Sequence, residues 1–227
     1  YLNLNKVQLI CLLDDYNKLQ SIPASSEFTL MLIFMLLKKV RLLLEHDINK
    51  NLYAQDIIGN DLKDKTVGII GFGRNGKKLC EYLKPFEVDI LFYDPYVNSD
   101  HYATKSQSIN KLVIDSDIVV LTLISNDETF GIINRDVLSN FNNSKFLINT
   151  SRGEIIDQDC IAELLNNKSI AGYASDVLSL NECNNKKLID CLKSNDNLIL
   201  TPHVAGNTIE SRQKADLIVI NKFLKDI

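Results

Sequence analysis

The stretch TVGIIGFGRNGKKLCEYLKPFEVDILFYDPY, residues 66–96, decides the fold. A continuous apolar run, Val67 to Ile70, leads directly into the glycine-rich hexapeptide GFGRNG, residues 71–76. A helical pattern follows, and a second apolar run ends at the acid Asp94. This order of strand, glycine turn, helix, strand and acid predicts a βαβ unit whose turn binds a dinucleotide.

Each residue of the glycine turn has a physical role in such a site. Gly71 makes the tight turn, Gly73 lets the backbone approach a pyrophosphate, and Gly76 lets the helix pack against the strand. The N-terminus of the helix supplies free N–H groups and the positive end of its dipole. Arg74 and Asn75 open this helix and are therefore included in the predicted cofactor site.

The acid Asp94 indicates which dinucleotide binds. Its carboxylate can accept hydrogen bonds from both ribose hydroxyls of an adenosine, and it would repel a 2′-phosphate. No Arg or Lys follows it in DPYVNSD, residues 94–100. The sequence therefore predicts NAD rather than NADP, and the alternative is a structural turn followed by a surface acid.

Further apolar runs of strand length recur along the chain, and most are separated by stretches with helical spacing. Continuous rather than alternating runs are typical of strands buried on both faces. We therefore expect an α/β fold with a Rossmann-type doubly wound parallel sheet. The predicted strands are Val7–Leu13, Val67–Ile70, Val88–Tyr93, Ile118–Leu123, Phe146–Ile148, Ile170–Ala174 and Leu198–Leu200, and the predicted helices include Lys77–Leu83, Asp136–Phe141, Gln158–Leu165 and Lys186–Leu192.

One long helix is predicted before the residues that form the sheet, and another is predicted after them. The first, SSEFTLMLIFMLLKKVRLLLEHDINK, residues 25–50, begins at about Ser25 and is apolar on most faces, so it is buried or lies at an interface. The second, NTIESRQKADLIVINKFLKDI, residues 207–227, would be capped by Asn207 or Thr208.

Composition excludes several classes of function. The net charge of −4 argues against a nucleic-acid partner, which needs clustered Lys and Arg. The longest apolar run, Phe28 to Leu37, is too short to span a membrane. The chain has five scattered cysteines without a CxxC pair and three histidines that are far apart. These counts favour reduced thiols in the cytoplasm and predict no metal site.

Three further motifs follow predicted strands: NTSRGEIID at 149–157, AGYASDVL at 171–178 and LILTPHVAGNT at 198–208. With the glycine turn, they resemble in order and spacing the D-isomer-specific 2-hydroxyacid dehydrogenases, from about Ile22 to the C-terminus. The resemblance implies an NAD-dependent interconversion of a D-2-hydroxy acid and its 2-oxo acid. It also implies a homodimer built largely on this domain.

The resemblance assigns roles to individual residues. Arg152 stands where the family binds the substrate, and a guanidinium can hold a carboxylate with two parallel hydrogen bonds. His203 stands where the family has its acid–base histidine, a residue type that exchanges protons near neutral pH. Asp176 matches the acid that faces the nicotinamide end of the cofactor. Thr150 completes the predicted cofactor site.

The chain departs from the family next to Asp176. The family usually has a glutamate five residues later, bonded to the histidine, whereas here Asn181 holds that position and Glu182 follows it. A one-residue loop insertion would return Glu182 to this role, and it completes the predicted catalytic set. Otherwise Asn181 would orient His203 without supplying charge. The family's common His-x-Pro after the fourth strand is also replaced, by Thr122 and Ile124 in LTLISN.

The domain organisation follows from the same resemblance. We expect residues 1–22 to be a remnant of the substrate domain, residues 23–207 to form the NAD-binding domain, and residues 208–227 to return as a helix toward the substrate domain. Because the family begins with a separate substrate domain, the chain is either a fragment, which we favour, or an NAD-binding remnant. A remnant would favour the alternative function, a non-catalytic NAD-binding dimerisation or sensor protein.

Overall fold

The computed structural model of the chain describes residues 16–179 and 182–224, without the side chains of residues 16, 17 and 182–184. The predicted strand Val7–Leu13 therefore lies outside the described residues, and so does Asn181. Glu182 is described only as the first backbone position of a helix.

A seven-stranded sheet forms the centre of the domain, and all its strand pairs are parallel. The strand order β3-β2-β1-β4-β5-β6-β7 reverses at β1, so the predicted doubly wound sheet is confirmed. The predicted strands within the described residues are confirmed to within two residues at each end. The strands are β1 Thr66–Ile70, β2 Asp89–Tyr93, β3 Thr104–Lys105, β4 Ile118–Leu121, β5 Phe146–Asn149, β6 Gly172–Ser175 and β7 Leu198–Leu200.

Helices cover both faces of the sheet, and an apolar cluster lies under each layer. Leu32 of the first long helix packs with Ile69 and Phe92 on one face, while Leu121 and Leu147 face the other cluster. The α-helices are α1 Tyr16–Leu19, α2 Ala24–Leu37, α3 Val40–Glu45, α4 Arg74–Leu83, α5 Ile109–Asp115, α6 Arg135–Leu138, α7 Gln158–Asn166, α8 Glu182–Asp190 and α9 Ile209–Phe223, and 3₁₀ turns occupy Lys84–Phe86, Gly153–Ile155 and Cys191–Lys193.

The prediction of a single helix over residues 25–50 is wrong. Helix α2 ends at Leu37, whose carbonyl accepts the N–H of Asn60 at 2.7 Å, and Lys39 takes a left-handed backbone with φ of 50°. The chain restarts as α3, in which the guanidinium of Arg41 donates to the carbonyls of Leu192, Asn195 and Leu198. These tertiary contacts redirect the chain where its apolar pattern is interrupted by cations.

The C-terminal helix begins as predicted. The side-chain oxygen of Thr208 accepts the N–H of Ser211 at 3.2 Å, so Thr208 is the cap rather than Asn207. Over the described ranges, 16–179 and 182–224, no helix has the length and apolar character needed to cross a membrane.

The cysteines that the structure describes act as small core residues. Cys80, Cys160 and Cys191 are free thiols and are all buried. Burial raises the pKa of the Cys80 thiol to about 11 and also raises the pKa of Cys160 and Cys191. Because the thiolate is the reactive form, these side chains are protected by both burial and protonation at neutral pH.

We therefore expect Cys80, Cys160 and Cys191 to resist iodoacetamide in the folded protein at pH 7.5 and to react rapidly in guanidinium chloride. Peptide mapping by mass spectrometry distinguishes these three sites from Cys11 and Cys183. An exposed thiol introduced by Ser139→Cys is the positive control and should react in the folded state. Labelling of the three buried sites at the rate of this control would contradict the core packing described here.

Candidate cofactor and substrate site

The glycine turn between β1 and α4 has the geometry that its predicted roles require. Gly71 has a φ of +89°, and its N–H donates to the carbonyl of Tyr93 at 2.9 Å. A side chain at Gly76 would place its Cβ 2.5 Å from the Gly71 carbonyl, whereas Gly73 has no atom near its missing Cβ. The Thr122 hydroxyl donates to the Gly71 carbonyl at 2.6 Å and so fixes the turn to the end of β4. Space is therefore left at Gly73, in front of the N-terminus of α4.

Asp94 lies directly after β2 and is held by backbone groups. Its carboxylate accepts the N–H of Phe72 in the glycine turn and the N–H of Tyr96, each at 2.8 Å. Each oxygen keeps further lone pairs for a ribose hydroxyl. The Tyr96 hydroxyl donates to Glu128 at 2.9 Å, which joins the β2 loop to the β4 loop and raises the pKa of Tyr96.

Arg74 and Asn75 contribute to the site in different ways. The Arg74 guanidinium donates to the carbonyls of Leu19 and Ile22, so its side chain fixes the segment before α2, and its backbone stays the predicted cofactor contact. The side-chain oxygen of Asn75 is buried, with no hydrogen-bond partner among the described residues. A buried acceptor of this kind carries a desolvation cost unless it is paired.

Helix α2 supplies hydroxyl groups that the sequence did not identify. The Ser26 hydroxyl donates to the backbone carbonyl of Asn75 at 3.1 Å. Thr29 donates to the Ser25 carbonyl at 2.6 Å and lies 2.8 Å from the hydroxyl of Thr150. Since the single Thr29 proton is used, Thr150 is the donor of that pair. Helix α2 therefore fixes both the glycine turn and the predicted cofactor residue Thr150.

The loop that carries Arg152 is positioned by a buried amide at the end of β5. Asn149 is fully buried, and its side chain donates to the Arg152 carbonyl at 3.1 Å and accepts the Ser151 N–H at 3.0 Å. Its own carbonyl accepts the N–H of Asp176 at 3.0 Å. The Arg152 side chain is exposed and donates to the Ser151 carbonyl at 2.6 Å. The guanidinium is thus presented outward from a rigid backbone.

Asp176 is the most extensively bonded group of the site. It is 1% exposed, and its carboxylate accepts the Thr201 hydroxyl at 2.6 Å, the Val204 N–H at 3.0 Å and the Ala205 N–H at 2.8 Å. These donors lie on both sides of His203 in the chain. Asp176 is a predicted cofactor residue, and in the structure its carboxylate also holds the loop that presents His203.

His203 follows β7 in a backbone conformation that side chains rarely adopt. Its φ is 58°, its N–H donates to the Thr201 carbonyl at 3.0 Å, and its ring is exposed. Residues held in the left-handed region cluster at functional sites, and histidine is among the types that tolerate it. The ring has no hydrogen bond with any residue that the structure describes. The predicted partners Glu182 and Asn181 lie outside the described side chains, so their roles stay predictions.

The predicted residues come together because parallel strands end at one edge of the sheet. Open α/β sheets bind their ligands at the carboxyl ends of their strands. The predicted residues that follow these ends are those of the glycine turn, Asp94, Thr150, Asp176 and His203. No three His, Cys, Asp or Glu side chains within the described ranges approach one another as metal ligands.

Comparison with known proteins identifies this arrangement. Residues 30–205 match the sequence family described as "D-isomer specific 2-hydroxyacid dehydrogenase, NAD binding domain". The chain belongs to this family. A glyoxylate reductase of Thermofilum pendens is 31% identical over 199 residues, which cover 84% of this chain and 58% of the relative.

Solved structures agree with this assignment. D-Lactate dehydrogenase from Aquifex aeolicus, complexed with NAD and lactic acid, has a TM-score of 0.80 at 26% identity and covers 91% of this chain and 68% of its own. A D-isomer specific 2-hydroxyacid dehydrogenase from Lactobacillus delbrueckii ssp. bulgaricus, in its NAD complexed form, has a TM-score of 0.79 at 25% identity, with 90% and 66% covered. The chain spans about half the length of the curated relatives it matches, and NAD is the cofactor of the matched domain.

Sequence reasoning missed the residues that support the site rather than those that face the ligand. Asn149 and Thr201 lie inside the quoted motifs, and a polar residue at the end of an apolar run was the available signal. Thr122, Ser26 and Thr29 offered no such signal, because their partners lie far away along the chain.

The Asp176 contacts predict that a substitution of Asp176 lowers the stability of the fold and loosens the His203 loop. Asp176→Asn replaces one acceptor by a donor and should lower the free energy of unfolding by about 1.5–3 kcal/mol. For a chain of this size, that corresponds to a fall in Tm of roughly 3–12 °C. Hydrogen exchange at Val204 and Ala205 should accelerate. The exposed Asp216→Asn on α9 is the matched control, and equal Tm and exchange in the two variants would contradict the anchoring role.

Proposed function

We propose that the protein is an NAD-dependent oxidoreductase that interconverts a D-2-hydroxy acid and its 2-oxo acid. The observation that carries the proposal is the presentation of two exposed reactive side chains by buried polar anchors. Arg152 is presented by Asn149, and His203 is presented by Asp176. Both lie at the sheet edge that carries the glycine turn.

Each side chain suits one demand of the reaction. NAD, when bound, supplies the hydride chemistry. The Arg152 guanidinium holds the substrate carboxylate with parallel hydrogen bonds, which fixes the position of the neighbouring carbon. The His203 ring gives a proton to the carbonyl oxygen during reduction and takes it from the hydroxyl during oxidation. Asp176 keeps the His203 loop in place, and Gly71, Gly73, Gly76 and Asp94 hold the cofactor.

Glu182 is the proposed third catalytic residue, and Asn181 is the alternative. A carboxylate beside His203 would stabilise the charged ring, whereas an amide would only orient it. The relatives suggest small substrates, since one acts as a glyoxylate reductase and one was solved with lactic acid. We propose glyoxylate and pyruvate as the first 2-oxo acids to assay.

The reaction is tested in the protein as its gene encodes it. Arg152→Lys keeps the charge but loses the paired geometry, so kcat/KM for glyoxylate or pyruvate should fall roughly 10- to 100-fold, while NADH affinity stays nearly unchanged. His203→Gln should lower kcat by about 100-fold or more. The rate is measured from NADH absorbance and the affinity from NADH fluorescence. Arg212→Lys, on the exposed face of α9, is the matched control.

Four outcomes would contradict parts of this mechanism. Unimpaired reduction by His203→Gln would remove the proton-transfer role. Collapse of NADH binding in Arg152→Lys would assign that residue to the cofactor or to the fold. NADH binding without oxidation by any 2-oxo acid would favour the alternative, a non-catalytic sensor. A Glu182→Gln variant with an unaltered pH–rate profile would remove Glu182 from the catalytic set.

We also propose that the protein is a cytoplasmic homodimer. Five apolar side chains between residues 44 and 58 are each at least 64% exposed: Leu44, Ile48, Leu52, Tyr53 and Ile58. Helix α2 itself packs mainly on its own sheet, so α3 and the segment after it offer the apolar surface. Exposed apolar side chains grouped in one segment favour an interaction surface, and the most economical partner is a second copy.

The homodimer is tested by analytical ultracentrifugation. The parent protein should sediment as a dimer at micromolar concentration, and Leu44→Glu should shift it toward the monomer because a charge would be buried in the interface. Ile114→Glu, at an exposed apolar site on α5, should leave the dimer intact. A monomeric parent protein would contradict the proposal.

A further inference from the structure

A cation shares the adenosine end of the nucleotide site with Asp94. A cavity of about 410 Å³ lies beside β2 and β3 and is lined by Tyr93, Asp94, Pro95, Lys105, Ser106 and Gln107. We propose that Lys105 is a second determinant of cofactor selectivity and binds a ribose 2′-phosphate here. On this basis the protein accepts NADPH as a weaker second cofactor beside NADH. The inference rests on the proposed nucleotide site.

The backbone of Lys105 is fixed next to Asp94. Strand β3 pairs with β2 so that Lys105 stands opposite Phe92, two residues before Asp94. The N–H of Ser106 donates to the Phe92 carbonyl at 2.8 Å, and the Ser106 hydroxyl donates to the Ser108 carbonyl at 3.1 Å. The cation is thus delivered by a neighbouring strand. The segment directly after Asp94 contains no Arg or Lys, but the cavity still contains a positive charge, because Lys105 comes from the neighbouring strand.

The Lys105 side chain is available to bind a ligand. It is half-buried, and no residue in the described part of the chain forms a hydrogen bond or ion pair with it. By contrast, the nearby Lys84 lies over the Tyr102 ring, and Lys111 is paired with Asp115 at 2.7 Å. A lysine ammonium on its flexible stem is a common phosphate ligand.

Asp94 and Lys105 act on a 2′-phosphate in opposite directions. The carboxylate repels the phosphate and accepts from ribose hydroxyls, which favours NADH. The ammonium attracts the phosphate and reduces that preference. Asp94 is partly compensated by the N–H groups of Phe72 and Tyr96, so its repulsion is weaker than that of an isolated carboxylate. The selectivity is therefore the difference between two opposing charges.

A double-mutant cycle tests this difference. NADH and NADPH are titrated by their own fluorescence, and ADP and 2′,5′-ADP by calorimetry, into the parent protein, Asp94→Ala, Lys105→Gln and the double variant. Lys105→Gln should weaken NADPH and 2′,5′-ADP roughly tenfold, the lower limit for a charged hydrogen bond, and change NADH and ADP by less than about threefold. Asp94→Ala should increase the affinity for NADPH relative to NADH, and the double variant should lose that gain.

The controls separate this inference from the proposed function. The control Lys193→Gln changes an exposed lysine just before β7, the outer strand on the other side of the sheet from β3. It should leave all four affinities unchanged. An unchanged ratio of NADPH to NADH affinity in Lys105→Gln, with NADH binding intact, would overturn the role of Lys105 alone. Failure of the parent protein to bind either nucleotide would overturn the nucleotide site and this inference together.

Discussion

The buried carboxylate of Asp176 is the interaction on which the site depends. A charge that is 1% exposed is expensive to bury unless it is fully hydrogen-bonded, and here three donors compensate it. Those donors flank His203, whose left-handed backbone would be unfavourable in an unrestrained loop. One set of hydrogen bonds thus offsets both the burial of the charge and the strain of the His203 backbone. The loop and the carboxylate therefore stabilise each other.

A second set of polar contacts joins the two halves of the sheet. Helix α2 crosses from the glycine turn to β5 and bonds to Asn75 through Ser26 and to Thr150 through Thr29. Its apolar side chains, such as Leu32, pack on the sheet between these points. Because the hydroxyls are buried, any shift of α2 would leave them unpaired. The same helix therefore fixes the position of the glycine turn relative to the end of β5.

The sequence predicted the parts of the fold that depend on local pattern. Strands β1 and β4 are continuous apolar runs buried on both faces, and Gly71 and Gly76 are required by backbone geometry alone. Strand β3 has two residues and no apolar run, so no local signal predicted it. The break at Lys39 depends on tertiary contacts of Arg41, and the charge beside Asp94 depends on pairing between strands that are distant in sequence.

The proposed site combines buried side chains that hold the loops with exposed side chains that can reach a ligand. Asn149 and Asp176 are buried, and their side chains form hydrogen bonds with the backbone of the two loops. Arg152 and His203 have exposed side chains on backbone that these contacts hold in place. A site built on rigid strands loses little conformational entropy when its ligand binds. On the proposed assignment, ligand binding would order the side-chain torsions of Arg152 and His203, whose backbone is already held by these contacts.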